Sequence, residues 1–137
     1  MSWEPRPTPA VDPETEPYWK AAAEGRLLLR RCNDCALSFY YPRARCPDCL
    51  GNNVKWMEAT GTGEVYAYTS TTLVSEWPED ALPLVLAYVE LDEGPRILTA
   101  LQECSSDTIE IGTSVEVTFI PTADDSVSIP VFRPIDR

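Results

Sequence analysis

Two pairs of cysteines constrain this sequence more than any other feature. Two residues separate Cys32 from Cys35, two separate Cys46 from Cys49, and ten lie between the pairs. Two thiolates three positions apart fit one tight turn, and ten residues suffice for a short hairpin that brings the second pair back to the first. Four thiolates form the tetrahedral ligand set that Zn²⁺ accepts, with no position left for water. The spacing therefore predicts one structural zinc ion per chain, in a zinc ribbon spanning residues 26–58.

Other uses of the four cysteines stay open at this point. A redox dithiol needs only one such pair, and two disulfides do not require the doubled spacing. An iron–sulfur cluster or a rubredoxin-type iron centre uses similar ligands. The zinc interpretation accounts for both pairs at once, and it suits a reducing compartment.

The charge of the chain argues against a nucleic-acid partner. The sequence has 22 acidic and 11 basic residues, which gives a formal net charge of −11. Proteins that bind nucleic acid normally carry a basic stripe that replaces counterions along the phosphates. Several arginines do cluster in the sequence near the cysteines: Arg26, Arg30, Arg31, Arg43 and Arg45. We expect such a local group to hold a small anion rather than a long polyphosphate.

Three adjacent aromatic residues, Phe39, Tyr40 and Tyr41, lie between the cysteine pairs. A small ribbon cannot bury all three, so we expect at least one to be exposed beside Arg43 and Arg45. Aromatic rings and guanidinium groups together suit a purine ring and its phosphates. These five residues are the predicted ligand-binding set; the alternative is that the aromatic side chains simply cover the ribbon.

The sequence contains no histidine. This excludes Ser-His-Asp and Cys-His mechanisms and removes the usual general base at neutral pH. Cys104 is the only cysteine outside the pairs and the only plausible nucleophile, yet no histidine can activate it. We expect Cys104 to be a small buried side chain, and we expect the chain to have no catalytic site of its own.

The N-terminal quarter of the chain divides into two predicted parts. Residues 1–14 are rich in proline and predict an extended arm. Residues 15–25 predict a short docking helix, with Thr15 as its cap and Gly25 as its stop. So short a helix must dock on something. Tyr18 and Trp19 would make that contact, either within the same domain or on a partner subunit.

The sequence predicts a cytoplasmic protein that does not contact membranes. No run of about 18 apolar residues is present, so no membrane span is expected. The first residues have neither a basic leader nor an apolar signal segment, so we do not expect export.

Residues 59–137 have the pattern of an all-β domain. Five substantial strands follow Gly63, without a clear helical pattern between most of them. The first of these, residues 64–74, should alternate strictly, with Val65 on one face and Tyr66 and Tyr68 together on the other. A chain this short avoids exposed sheet edges best by closing a barrel. We therefore expect a mainly β fold with a five-stranded OB-fold barrel; an SH3-like barrel or a small sandwich is the alternative.

Taken in order, these features resemble the DUF35 family. The segments that carry the resemblance are residues 17–19 and 25–27, the two cysteine pairs with residues 41–43 between them, and residues 61–66, 91–94 and 111–115. The resemblance covers roughly residues 16–133. One departure is Ala36, where the family usually has glycine after the second cysteine; this changes the strain of the turn and not the number of ligands.

The resemblance implies an N-terminal helix, a rubredoxin-like zinc ribbon and a C-terminal OB fold. It also implies an accessory, non-catalytic subunit of a heteromeric thiolase-type acyl-CoA enzyme, whose catalytic residues belong to the partner; some relatives work beside acyl-CoA hydratases. In that setting the arginine and aromatic residues would help to bind coenzyme A. The competing hypotheses are a nucleic-acid-binding module, which the architecture permits but the charge opposes, and an independent enzyme based on Cys104.

Overall fold

The computed structural model describes residues 7–75, 77 and 79–136. Residues 1–6, the first part of the predicted arm, lie outside the described residues. Residues 7–14 contain neither helix nor strand, and two of their side chains tie them to the rest of the chain. The Thr8 hydroxyl donates to Thr122 Oγ1 at 3.0 Å, and the Glu14 carboxylate accepts a hydrogen bond from the Ala44 amide at 2.7 Å. This part of the arm is therefore held against both the barrel and the ribbon.

Helix α1 spans Glu16–Ala23 and has Pro17 in its first turn, where a missing N–H costs nothing. Thr15 precedes the helix, but its hydroxyl does not cap it. Instead Thr15 is buried and bonds back to the Asp12 side chain. Gly25, with a φ of 81°, allows the chain to leave the helix in the left-handed region. No helix among the described residues is long and apolar enough to cross a membrane.

Three short strands form the ribbon sheet. They are β1 (Leu28–Cys32), β2 (Ser38–Phe39) and β3 (Val54–Glu58), in the order β2-β1-β3, and both pairings are antiparallel. Cys32 ends β1 opposite Val54 at the start of β3. The sheet thus carries the first cysteine pair at one end and continues into the barrel at the other.

Five longer strands form the second sheet: β4 (Thr62–Thr71), β5 (Leu84–Leu91), β6 (Arg96–Ala100), β7 (Ser114–Pro121) and β8 (Ser128–Pro134). Their order is β6-β5-β4-β7-β8, and all four pairings are antiparallel. A parallel bridge between Leu101 and Phe132 brings the two ends of the sheet together. The predicted fold class is confirmed: a mainly β chain with one short helix, a zinc-ribbon-like cysteine cluster and a nearly closed five-stranded barrel.

At Gly63 the backbone of β4 lies very close to the backbone of β5. A Cβ atom at Gly63 would collide with the backbone carbonyl oxygen of Glu90 on β5. Only a residue without a side chain permits this approach. Gly63 is therefore a point of close backbone contact between β4 and β5.

The predicted alternation along β4 is wrong beyond Val65. Val65 pairs with Val89 but Ala67 pairs with Tyr88, so Tyr66 is an extra residue in a β-bulge. The bulge shifts the phase of the strand. As a result Val65 and Tyr68 pack toward the barrel core, whereas Tyr66 is exposed.

The incomplete seam between β6 and β8 is covered from outside the barrel. A cleft of about 280 Å³ runs along it, with Thr99 and Pro130 on the barrel side and Tyr18 and Tyr40 on the other. The Thr99 hydroxyl donates to the Pro130 carbonyl at 3.4 Å across the seam. Tyr18 is 3% exposed and belongs to the barrel core. Of the two predicted docking modes for α1, the structure shows the helix docked on its own domain.

Candidate metal centre

The four cysteines lie on two turns with the same backbone pattern. The Ala36 amide donates to the Cys32 carbonyl and the Leu50 amide to the Cys46 carbonyl, each at 2.9 Å. In both turns the residue after the second cysteine has a positive φ, 63° at Ala36 and 62° at Leu50. The amide of each first cysteine then donates back to a carbonyl two residues beyond the turn's second cysteine. Each turn thereby aims its two sulfurs in one direction.

The two turns face each other across a small tetrahedron of sulfur atoms. Cys32 Sγ lies 3.6 Å from Cys49 Sγ, and Cys35 Sγ lies 3.5 Å from Cys46 Sγ. All four sulfurs lie within 4.8 Å of one another. Zn–S bonds of about 2.3 Å would place sulfurs about 3.8 Å apart in a regular tetrahedron. The donor set therefore fits a zinc ion, and the separations are far longer than a disulfide bond.

Backbone amides favour the thiolate form in this centre. The Cys49 amide is the largest influence on Cys46, and with the Asp48 amide, 3.4 Å from the sulfur, it lowers the pKa of Cys46 to about 7. The Leu37 amide acts in the same direction on Cys35. There, hydrogen bonding with Cys46 and desolvation outweigh it and raise the pKa of Cys35 to about 12. A cation shared by all four sulfurs would hold every one of them as a thiolate.

Asn53 supports the first turn and was missed by the sequence analysis. Its carbonyl accepts from the Asn33 amide at 2.9 Å, and its side-chain oxygen accepts from the Asn33 side chain at 3.1 Å. Its side-chain nitrogen donates to the Asp34 carboxylate at 3.0 Å. Asn53 therefore fixes both residues between Cys32 and Cys35. The signal available in the sequence was a pair of asparagines just before β3, which indicates only a turn.

The predicted arginine cluster separates in three dimensions. Arg30 stacks over the Trp56 ring at 4.0 Å and donates to the Val54 carbonyl at 2.9 Å, and burial lowers its pKa. Arg26 forms ion pairs with Glu24 and Glu58. These two arginines hold the ribbon sheet and its junction with α1. Arg31 donates to the Ser38 hydroxyl at 3.3 Å on the neighbouring strand.

The other two arginines lie together near the second cysteine pair. Arg43 is placed 6.0 Å from the ring centre of Tyr41, which is 56% exposed. Arg45 donates to the Leu50 carbonyl at 3.1 Å. Both line a depression of about 350 Å³, together with Glu14. We call Tyr41, Arg43 and Arg45 the arginine surface.

Phe39 and Tyr40, the remaining members of the predicted ligand set, lie within the fold. Phe39 is buried opposite Arg30 in the ribbon sheet. Tyr40 packs against the barrel core and lies 6.1 Å from the Tyr18 ring centre. The structure therefore brings the five predicted residues into one region but leaves only Tyr41, Arg43 and Arg45 at its surface.

The residues predicted for partner contact are also drawn inward. Tyr18 is buried, and its ring meets Trp19 edge-on at 5.0 Å. Trp19 is partly buried against the core. Cys104, the candidate nucleophile, is partly buried against the same core, and desolvation raises its pKa. A raised pKa keeps this thiol protonated at neutral pH, which opposes nucleophilic reactivity.

Comparisons with known protein families match the ribbon and the barrel separately. A family model described as the rubredoxin-like zinc ribbon domain of ChsH2 matches residues 19–54. A second, described as the C-terminal OB-fold domain of ChsH2, matches residues 56–119. The chain thus carries a zinc ribbon whose four cysteines are positioned to bind one metal ion.

Two curated proteins with similar sequences are named as an enzyme subunit and as a scaffold protein. The chain is 37% identical to a "Probable enoyl-CoA hydratase alpha subunit" of Thermomonospora curvata over 132 residues, which are 94% of this chain and 40% of that protein. It is 32% identical over 108 residues to a "DUF35 domain-containing scaffold protein" of Methanothermobacter thermautotrophicus, with 77% of this chain and 81% of the relative covered. The chain therefore spans well under half of the first relative and most of the second.

Solved structures show the same architecture over nearly the whole chain. One chain of a structure titled "Ltp2-ChsH2(DUF35) aldolase" superimposes with a TM-score of 0.78 and 36% identity, covering 92% of this chain and 98% of that one. A DUF35 protein of unknown function from Sulfolobus solfataricus superimposes with a TM-score of 0.63 at 14% identity, which shows the shared fold alone. From these matches in sequence and structure, the chain belongs to the DUF35 family.

Proposed function

We propose that this chain is a non-catalytic subunit of a heteromeric, thiolase-type acyl-CoA enzyme that makes or breaks a carbon–carbon bond. The observation that carries the proposal is the match over 92% of this chain to a component of the "Ltp2-ChsH2(DUF35) aldolase". That match covers 98% of the other chain, so the similarity extends over the complete two-part architecture. In this proposal the partner subunit performs the chemistry, and this chain supports it.

The other relatives point to the same kind of role. One is named as a subunit of an enoyl-CoA hydratase and another as a scaffold protein. The hydratase relative is much longer, since this chain spans only 40% of it. There the module is part of a larger polypeptide, which suggests that it works joined to, or assembled with, a second unit.

The residues of the chain support a non-catalytic role. The sequence has no histidine, and the Cys104 thiol is packed against the core with a raised pKa. Acyl transfer to or from a thioester needs an activated nucleophile and a general base. A partner that supplies both would complete the enzyme.

The zinc ion would serve this subunit as a structural brace. Cys32, Cys35, Cys46 and Cys49 would hold it, and four protein ligands leave no site for substrate or water. The ion would join the turn that carries Cys32 and Cys35 to the turn that carries Cys46 and Cys49. Its role is to fix the ribbon, and with it the nearby arginine surface, relative to the barrel.

The arginine surface is the proposed contact for coenzyme A. Tyr41 offers an exposed ring for the adenine, and Arg43 and Arg45 offer guanidinium groups for phosphates. Tyr40 meets the Tyr41 ring edge-on, with the ring centres 6.1 Å apart, and Phe39 is the buried residue that precedes Tyr40 at the end of β2. The Glu14 carboxylate lies in the same depression and opposes an anion there, so we expect the partner subunit to contribute further positive charge.

Assembly tests the proposal. The chain would be co-expressed with a thiolase-fold protein encoded by a neighbouring gene, with an affinity tag on only one of the two. We expect both to co-purify in a fixed stoichiometry, measured by light scattering and native mass spectrometry. Two separate proteins at micromolar concentration would contradict the proposal.

A further inference from the structure

The outer face of β4, β5 and β6 exposes a contiguous group of large apolar side chains. Tyr66 and Tyr88 are each 47% exposed and Leu98 is 56% exposed. Tyr88 is paired directly with Leu98 on β6 and with Ala67 on β4. The bulge at Tyr66 brings this residue and Ala67 opposite Tyr88. We call Tyr66, Tyr88 and Leu98, with the small residues between them, the apolar face.

The apolar face contains a depression that can receive a side chain. It has a volume of about 250 Å³, and its lining includes Ala67, Thr69, Leu86, Tyr88 and Leu98. The largest contiguous apolar patch on a protein surface is often functional, which makes this face a candidate for an interaction. Tyrosine and arginine at its border are the residue types that most often dominate binding energy at interfaces.

One arginine stiffens the border of the apolar face. The Arg96 guanidinium stacks on the Tyr66 ring at 3.7 Å, and its Nε donates to the Glu90 carboxylate at 2.9 Å. These contacts hold the Tyr66 ring in place before any partner binds. A preorganised ring loses less conformational entropy on binding than a mobile one.

The charges around the apolar face favour a different protein over a second copy of this chain. Glu90 and Arg96 neutralise each other, and Glu64, on the same outer face, forms no ion pair with any described residue. A second copy would bring a further net charge of −11 to the contact. The half-exposed side chains offer on the order of 300 Å², well below the roughly 800 Å² per partner of a stable interface. The face therefore suits the anchor of a larger, heteromeric contact.

We infer that the apolar face is the anchor point for the catalytic subunit. The occupant would be a segment that inserts an apolar side chain between Tyr88 and Leu98 and places a basic residue near Glu64. This inference rests on the proposed function, because it assigns a docking surface to the partner proposed there. It adds the location of the contact, which lies on the barrel and apart from helix α1.

Substitutions on the apolar face test the inference in the complete two-subunit complex. Leu98→Asp places a charge in the depression and is expected to weaken assembly by at least about thirtyfold; Tyr88→Ala, which keeps the strand neutral, by about tenfold. Val11→Asp is the matched control, because Val11 is 43% exposed beside α1, and it should change affinity less than twofold. Titration calorimetry measures the affinities, and the melting temperature and zinc content confirm that each variant is folded.

The outcomes separate this inference from the proposed function. One outcome is that the wild-type chain binds the catalytic subunit while both folded face variants bind it as tightly as the wild type. In that case the assignment of the docking surface is wrong and the proposed function stands. If the control loses as much affinity as Leu98→Asp, the docking surface is also wrong. If the wild-type chain forms no complex at all, the proposed function fails and this inference fails with it. A homodimer broken by Leu98→Asp would show that a second copy occupies the face.

Discussion

Ala36 and Leu50 occupy equivalent positions, one after each cysteine pair. Both have a positive φ, 63° and 62°, and both amides donate to the carbonyl of the first cysteine of their pair at 2.9 Å. Side chains other than glycine are strained in this region, by about 1 kcal/mol or more. The chain thus carries the same strain twice, once on each side of the metal centre.

Ala36→Gly is expected to stabilise the zinc-loaded protein by about 1 kcal/mol, because glycine adopts a positive φ without strain. Urea unfolding followed by tryptophan fluorescence measures the change. Ala123→Gly is the control: Ala123 is exposed and is not among the described residues with a positive φ, so this change should be neutral or slightly destabilising. Equal effects of the two substitutions would show that the strain at Ala36 is unimportant.

The four cysteines are expected to hold one zinc ion per chain, and the fold is expected to depend on it. Cys46→Ser should abolish stoichiometric zinc, measured by native mass spectrometry, and should lower the melting temperature because the two turns lose their link. Cys104→Ala should retain the full metal content, since Cys104 lies outside the cluster. A wild-type protein that is free of metal and still folded would contradict this prediction.

Stability is expected to fall in alkaline solution because Tyr18 is buried and packs against the partly buried Tyr40. Burial, and secondarily the nearby Tyr40, raises the pKa of Tyr18 well above its ordinary value, and burial also raises the pKa of Tyr40. A tyrosine in the unfolded chain ionises at about pH 10. Above that pH the unfolded chain therefore releases protons that the folded chain keeps. This contribution is complete below about pH 10 and is lost as the pH rises further.

Tyr18→Phe tests this alkaline dependence, because it removes the ionisable group and keeps the ring. The unfolding free energy of this variant should decline less steeply between about pH 9 and pH 11 than that of the wild type. Tyr66→Phe is the control, since Tyr66 is on the surface. Parallel curves for the wild type and Tyr18→Phe would exclude Tyr18 as the cause.

The arginine surface is expected to contribute to coenzyme A binding in the assembled enzyme. Arg43→Ala and Arg45→Ala should each weaken the binding of coenzyme A about three- to tenfold, and added salt should reduce the difference. Arg133→Ala is the control, because Arg133 is on the barrel and pairs with Glu116 and Glu103. Unchanged affinity in both surface variants, measured by calorimetry on the complex, would remove these residues from the binding site.

Much of the architecture could be predicted because its signals are local or strongly constrained. The spacing of the cysteines predicts their convergence, which the structure confirms. Five strands in so short a chain predict a closed barrel because closure removes exposed sheet edges, and the order of the sheet confirms an OB fold. In both cases few alternatives satisfy the pattern.

The remaining details depend on contacts that sequence patterns do not encode. The bulge at Tyr66 could not be predicted, because tyrosine, alanine and threonine are all tolerated on either face of a strand. Arg30 and Arg43 look alike in the sequence, yet one stacks on Trp56 within the sheet and the other reaches the surface. The two residues separate because Arg30 lies in β1 and Arg43 lies in the connection between β2 and β3.

Turnover by the reconstituted enzyme tests the central claim most directly. The catalytic partner would be assayed with its acyl-CoA substrate alone, with the wild-type chain, and with the zinc-deficient Cys46→Ser variant. We expect full activity only with the wild-type chain and no turnover by the chain alone. Full activity of the partner without this chain, or turnover of acyl-CoA by this chain unaided, would contradict the account.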